Sequence, residues 1–456
     1  MKNKIVLIGA GSAVFSLSMI KDICLTPGLQ GSTVCLVDIN QERLDAAYNL
    51  CVRYAKELGI ELDITKTTDR EEGLVGAEYV VNTALACNHQ RMQDGLNIAK
   101  ELGYHYGSSF HIMHDEGFWI NFYQFKMIEE IYLDTRRIAP NAWYILLANP
   151  VVAATTMLCR KYHDPKLVGL CEGPTTIRDI FDKLGFDAKD VTYELVGCNH
   201  FVWITKMLYK GEDAFPLLDT WIEQYGDDPE KTQTNTMLCR KVQDLYKIFG
   251  AIPLGDTHAS GGGSWGWWYH TSREVEIPYR EDPNGIWEGY YTGCAQNVAD
   301  IAKYSSDETI KLTDIYPPVH SNEVIIDLIE ALACDVEKKI FVNFINEGNY
   351  VPGIPLDFNV EVMALCNRAG IHPIHSEGLP RAILGHLLAD RVGPVEVELE
   401  AHQNRDEALL VDLVMMDRQT KTREQAQTLV DRILALPWNE AMREHYRGEG
   451  AKRRRA

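Results

Sequence analysis

A cysteine and a histidine, each closing an apolar run just where a loop opens, are the first residues able to do chemistry. Cys171 lies in "VGLCEGP" (168–174), followed by Glu172, and His200 lies in "VGCNHF" (196–201), preceded by Asn199. A thiolate and an imidazole brought together hold a divalent cation, and two protein ligands leave positions open for substrate oxygens. The same residue types also serve as a buried structural thiol and a satisfied core histidine, and spacing alone leaves both readings standing. Asp115 in "HIMHDEGF" and Asp256 in "IPLGDTH" add carboxyls fit for proton transfer, or for capping loops and turns.

These residues need a scaffold, and the N-terminal region shows which one. "KIVLI" (4–8) is a short β-branched run that ends in Gly9-Ala10-Gly11-Ser12, and "AVFSLSMIKDICL" then has helical apolar spacing. "STVCLVDIN" supplies a second strand ending at Asp38, where a dinucleotide fold sets a carboxylate against the adenosine ribose. The helix "QERLDAAYNLCVRYAKEL" and the strands "EYVVNTA" (78–84) and "WYILLANP" (143–150) continue the alternation. The pattern predicts an α/β fold, a Rossmann-type doubly wound parallel sheet over 1–195, with Cys171 and His200 each at the end of a strand-like run on the sheet's carboxyl edge. From 196 to 456 long helices and irregular aromatic loops such as "GGGSWGWWYH" predict a second, mainly helical α+β domain. The glycine signature is partial, because Val14 stands where GxGxxG has its third glycine. A strand before it and an acid at the next strand end favour nucleotide binding over an ordinary tight turn.

Composition sets the outer bounds. A chain of 456 residues exceeds one compact core. Apolar residues make up 46 %, charged residues 24 %, and no apolar run is long enough to span a membrane. A net charge of −20 argues against nucleic acid, and the terminal "KRRRA" reads as a solvated tail. Eleven cysteines, odd in number and scattered through apolar segments, fit reduced thiols and a cytoplasmic location.

The ordered set GAGSAVF, ANP, GLC-x-G, GxNH and GDT, with "FPLLDTWIE", "GIHP" and "ALPWNEAMREHY", resembles glycoside hydrolase family 4 along the whole chain, nearest its α-glucosidase and α-uronidase branch. The resemblance implies NAD and a divalent metal such as Mn2+. In that chemistry hydride leaves sugar C3, the C2 proton becomes acidic, the aglycone is eliminated from C1, water adds and hydride returns.

By matching motifs, the resemblance makes Cys171 and His200 the metal ligands. It puts Asn149, Glu172, Asn199 and His258 on the substrate, and Asp115 and Asp256 in proton transfer, the first at the leaving oxygen and the second at C2 or the metal. Gly9, Gly11, Ser12, Ala13, Val14, Phe15, Asp38, Asn82 and Thr83 fall on the cofactor.

The sequence departs from the family at several points. No tyrosine aligns as the C2 base, although Tyr269 is near. Glu172 stands where the close branch often has histidine. No Arg/Lys cluster suits a sugar phosphate. Gly261-Gly262-Gly263 could form an anion-binding concavity or a flexible lid, and the former favours a sulfonate or carboxylate at C6, as in sulfoquinovosides and α-galacturonides. A neutral α-glucosidase or α-galactosidase and an NAD-dependent sugar dehydrogenase remain the alternatives. The expected partner is a small glycoside, and the expected assembly a dimer or tetramer.

Overall fold

The computed structural model describes residues 3–233, 236–259, 264–321 and 323–452. Gly261–Gly263 and the tail beyond Lys452 lie outside the described residues, and of Ala13 and Val14 only the backbone is described.

Among the described residues thirteen strands form one mixed sheet: β1 (Lys4–Ile8), β2 (Thr33–Val37), β3 (Asp63–Thr67), β4 (Tyr79–Asn82), β5 (Trp143–Leu146), β6 (Leu167–Gly169), β7 (Val191–Cys198), β8 (Phe201–Tyr209), β9 (Glu212–Asp213), β10 (Ile252–Leu254), β11 (Lys338–Ile345), β12 (Asn359–Asn367) and β13 (Gly370–Pro373). β3-β2-β1-β4-β5-β6 pair in parallel. These strands are apolar on both faces because helices cover both. In β1, Ile5 and Leu7 enter one core while Val6 and Ile8 enter the other. This is the parallel sheet that the strand–helix alternation predicts, and the helices Ala13–Leu25 and Gln41–Glu57 match the sequence reading almost to the residue.

The antiparallel half was not anticipated. β6 meets β11 through the single Gly169–Asn343 pair, and the sheet continues as β11-β12-β7-β8-β10, with β13 on β12 and β9 on β8. The region after 196 therefore carries strands woven into the first sheet as well as helices, and position 195 falls inside β7. One rung crosses the junction: Asn343 pairs with Gly169 and with Glu361, Glu361 with Gly197, and Gly197 with Val202. His200 is a correction to the sequence reading. It does not end a parallel strand but sits on the two-residue turn of the β7–β8 hairpin, with φ 62. No helix among the described residues is long and apolar enough to cross a membrane, and the eleven cysteines are all free thiols.

Candidate active site

The crevice at the end of β1 is built from backbone. Gly9 has φ 91, and its N–H and that of Ala10 both donate to the Val37 carbonyl, at 2.9 and 3.1 Å. A Cβ on Gly9 would lie 2.8 Å from Ala84 Cα, so the turn can press against the end of β4 only without a side chain. The helix Ala13–Leu25 begins with no side-chain cap, which leaves its first N–H groups for an anionic ligand.

Asp38 sits at the mouth, its two oxygens accepting from Gly11 N and Asn40 N at 2.8 Å each. Beside it Ile39 is 96 % exposed. Thr83 ties back to the Ile8 carbonyl through N and Oγ1. Two expected cofactor residues face inward instead. The Asn82 amide is buried between Tyr144 Oη and Ala84 N, and Phe15 packs on the core.

The second cluster forms around His200. Its Nδ1 lies 2.9 Å from Glu116 Oε1, its Nε2 lies 3.1 Å from Asp256 Oδ2, and the Cys171 thiol hydrogen-bonds to its ring. Asp256 reaches this point because two loops are stitched together. Gly255 N donates to Thr176 Oγ1 at 3.2 Å, and Gly255, with φ 55, packs so closely that a Cβ would lie 2.8 Å from Gly173 Cα. Asp115 joins from the neighbouring loop, with Oδ2 accepting from the Asn149 amide at 2.9 Å and Oδ1 in a short contact with His114 Nδ1. Asn199 is fully buried beside Glu361.

The electrostatics follow from this geometry. Burial works against a charged His200, but Asp256, Cys171 and Glu116 outweigh it and raise the imidazole well above its ordinary value. Burial pushes the Cys171 thiol up, against the opposing pull of His200. Burial also disfavours a charged Asp115, yet His114, His200 and the Asn149 amide hold its carboxyl well below the usual range. A thiol and carboxylates gathered on one imidazole make a place where positive charge is stabilised, and that donor set fits a divalent cation.

Three sequence expectations sit differently. Tyr269 is fully buried and donates to Asp244 Oδ2 at 2.7 Å, and burial with that carboxylate raises its phenol, which removes it from the role of base. His258 is buried and kept neutral: desolvation and the nearby Lys241 ammonium push it down to about 3. Glu172 bonds to Glu323, whose carboxyl is driven up to about 10 by burial and by Glu172.

Glu323 thus keeps its proton in the folded chain. A raised folded value means that stability is fully present below the unfolded value and is lost as pH rises through the neutral range. Glu323→Gln preserves the donor and removes the titration. Its melting temperature is expected to match the parent near pH 5 and to exceed it by several degrees at pH 8.5, and an equal gap at both pH values would refute the shared proton.

Sequence reasoning missed His114, Glu116, Asn343, Glu361 and Arg391. His114, Glu116 and His200 bring one ligand atom each within 4.8 Å of one another. The run His114-Asp115-Glu116 was a visible signal, of which only the middle residue was singled out. Asn343 and Glu361, bonded at 2.9 Å, announce themselves only as polar residues in apolar strands.

Fold and site together define an α/β enzyme that pairs a dinucleotide-type crevice with a thiol–imidazole–carboxylate centre. The chain belongs to family 4 of the glycosyl hydrolases: the family 4 glycosyl hydrolase model matches residues 4–186 and the family's C-terminal domain model residues 195–420. It is 23 % identical to an alpha-galactosidase of Bacillus subtilis (strain 168), over 91 % of this chain and 93 % of that one. It is 24 % identical to an alpha-galacturonidase of the same organism, over 91 % and 92 %. Among solved structures, a 6-phospho-alpha-glucosidase from gut microorganisms in complex with NAD and Mn2+ superposes with TM-score 0.79 at 19 % identity, over 97 % of this chain and 99 % of that one. The chain is accordingly a glycosidase.

Proposed function

We propose that the chain hydrolyses α-glycosides by the NAD+- and divalent-metal-dependent elimination route, with residues 1–195 carrying the cofactor and 196–456 completing the substrate side. The observation that carries this reading is the meeting of Cys171, His200 and Asp256 at one point. Ordinary displacement at C1 requires a pair of carboxyls flanking the bond. Here the carboxyls surround an imidazole and a thiol instead, and the glycine turn of β1 supports a bound dinucleotide. When bound, NAD+ supplies a reversible hydride acceptor for sugar C3, and Mn2+ supplies Lewis acidity toward neighbouring sugar hydroxyls.

The chain's own groups do the rest. Cys171 and His200 hold the metal. The turn of Gly9 and Gly11, the open N-terminus at Ser12, Ala13 and Val14, and Asp38 and Thr83 hold the dinucleotide. Asn149 and Asn199 position sugar hydroxyls, Asn149 also fixing Asp115. Asp256, 37 % exposed as a side chain and bonded to His200, is placed to take the C2 proton. The His114–Asp115 pair, rather than Asp115 alone, holds the proton for the leaving oxygen, because Asp115 by itself stays ionised.

For the sugar, we favour an anionic group at C6, as in an α-galacturonide or sulfoquinovoside. The support is Lys241, a basic side chain buried beside His258 and donating to the Ala259 carbonyl at 3.3 Å. A neutral α-glycoside is the second reading, favoured by the 3.0 Å contact that already neutralises Lys241 with Glu281. Nitrophenyl α-galacturonide, α-sulfoquinovoside and α-glucoside, compared under identical NAD+ and Mn2+, separate the two. The anionic reading expects an anionic sugar to lead in kcat/KM by at least tenfold, and a leading glucoside would overturn it. Release of nitrophenol with no build-up of absorbance at 340 nm is expected, whereas stoichiometric NADH would make the chain a dehydrogenase. The partly exposed Tyr290 and Val298 on the helix Pro283–Ser306 support a second copy as partner.

A further inference from the structure

We infer that Glu116 is a positioning residue for the metal: it locks the His200 ring so that only Nε2 is free to ligate. The inference rests on the reading of Cys171 and His200 as metal ligands. Histidine offers two nitrogens, and which one binds a metal is set by the hydrogen bond that the other makes. Glu116 Oε1 lies 2.9 Å from His200 Nδ1, and both side chains are almost wholly buried, so water does not compete for that contact. Nε2 points the other way, 3.1 Å from Asp256. With Nδ1 in ion-pair contact with a buried carboxylate, the imidazole turns its other nitrogen toward Asp256 and the Cys171 side of the ring.

The segment that carries the carboxylate is packed and tethered on both flanks. Phe110 lies 4.1 Å from the His114 ring and 5.4 Å from the His200 ring, centroid to centroid, and the Arg391 guanidinium sits 3.0 Å from the Phe110 centroid. Arg391 is buried and supplies positive charge near Glu116. His111, one position after Phe110, is anchored by Glu398 at 3.0 Å, and Glu398 also takes both hydrogen bonds of the Asn121 amide, at 3.0 and 3.1 Å. The loop that carries Glu116 is thus tied to the helix Gly393–Asn404, far along the chain from the metal cysteine. Glu116 could instead ligate the ion directly, since His114, Glu116 and His200 also lie within reach of one another. The Nδ1 contact argues against it, because an ion there would have to enter between two atoms only 2.9 Å apart.

The test is Mn2+ affinity of the full-length protein with NAD+ present, read by electron paramagnetic resonance of free Mn2+, together with melting curves in chelator. Glu116→Gln retains a carbonyl oxygen that can accept the Nδ1 proton, and Glu116→Ala does not. Glu116→Ala is expected to weaken Mn2+ binding about 10–100-fold. Glu116→Gln should recover most of that loss, while the two variants melt within a few degrees of each other. Equal losses in both variants would make Glu116 a direct ligand, and an alanine variant that binds Mn2+ like the parent would make it a structural residue. Either result overturns the inference. Failure of the parent to bind Mn2+ at all would instead overturn the metal reading on which it stands.

Discussion

Cys171→Ser is expected to fold like the parent and to lose hydrolysis by about three orders of magnitude at micromolar Mn2+. A serine hydroxyl stays protonated at neutral pH, so the negative ligand is lost while the volume of the side chain hardly changes. With the packing so little changed, its melting temperature should move by no more than a few degrees. The pH dependence follows from the two shifted groups. The thiol is raised by burial, and His200 is raised well above its ordinary value by Asp256, Cys171 and Glu116, so in neutral solution both carry protons until a metal displaces them. Metal uptake should therefore release about two protons, and apparent affinity should climb by up to about a hundredfold per pH unit below neutrality. Calorimetry in buffers of different ionisation enthalpy counts those protons. A serine variant with parental activity at micromolar metal would place the site elsewhere.

The two aspartates should separate by leaving group. Asp256→Asn is expected to slow every substrate by about 10²–10⁴, because C2 proton removal precedes loss of any aglycone. Asp115→Asn should do comparable damage to methyl or glycosyl aglycones and little to nitrophenyl substrates, whose leaving oxygen needs no proton. The short His114–Asp115 contact adds a condition: His114→Gln should reproduce the leaving-group dependence of Asp115→Asn. If nitrophenyl and methyl glycosides suffer equally from Asp115→Asn, the His114–Asp115 pair has no role at the leaving oxygen. An Asp256→Asn variant that spared nitrophenyl substrates would move Asp256 away from C2.

The parts of the molecule legible from sequence were those governed by local rules. β1, its glycine turn and the helix Ala13–Leu25 announced themselves through β-branched residues, a backbone position that only glycine tolerates, and helical apolar spacing. The centre was legible only as a set of strand-end residues, since nothing local says that residues 115, 171, 200 and 256 meet. Glu116, Asn343 and Glu361 were missed for a related reason. A buried carboxylate is recognisable by its partners, and those partners lie on distant strands: the bond from Asn343 to Glu361 joins β11 to β12, and burial pushes Glu361 up to about 7. His200 was expected at a parallel strand end because "VGCNHF" looks like "VGLCEGP". The left-handed conformation at His200 made it a hairpin turn instead. Tyr269 shows the opposite error, in which proximity in sequence to Asp256 suggested a base, while the phenol is buried on Asp244.

The central claim is that hydrolysis proceeds by removal and return of the C2 proton, and the product itself records this. A glycoside accepted by the protein is hydrolysed to completion in D2O with NAD+ and Mn2+, and the freed sugar is examined by proton NMR. The account predicts one solvent deuterium at C2, hydrogen retained at C3, and no hydrolysis when either NAD+ or the metal is withheld. A product that keeps its C2 hydrogen, or full activity after exhaustive removal of nicotinamide, would contradict it and return the chain to ordinary displacement at C1.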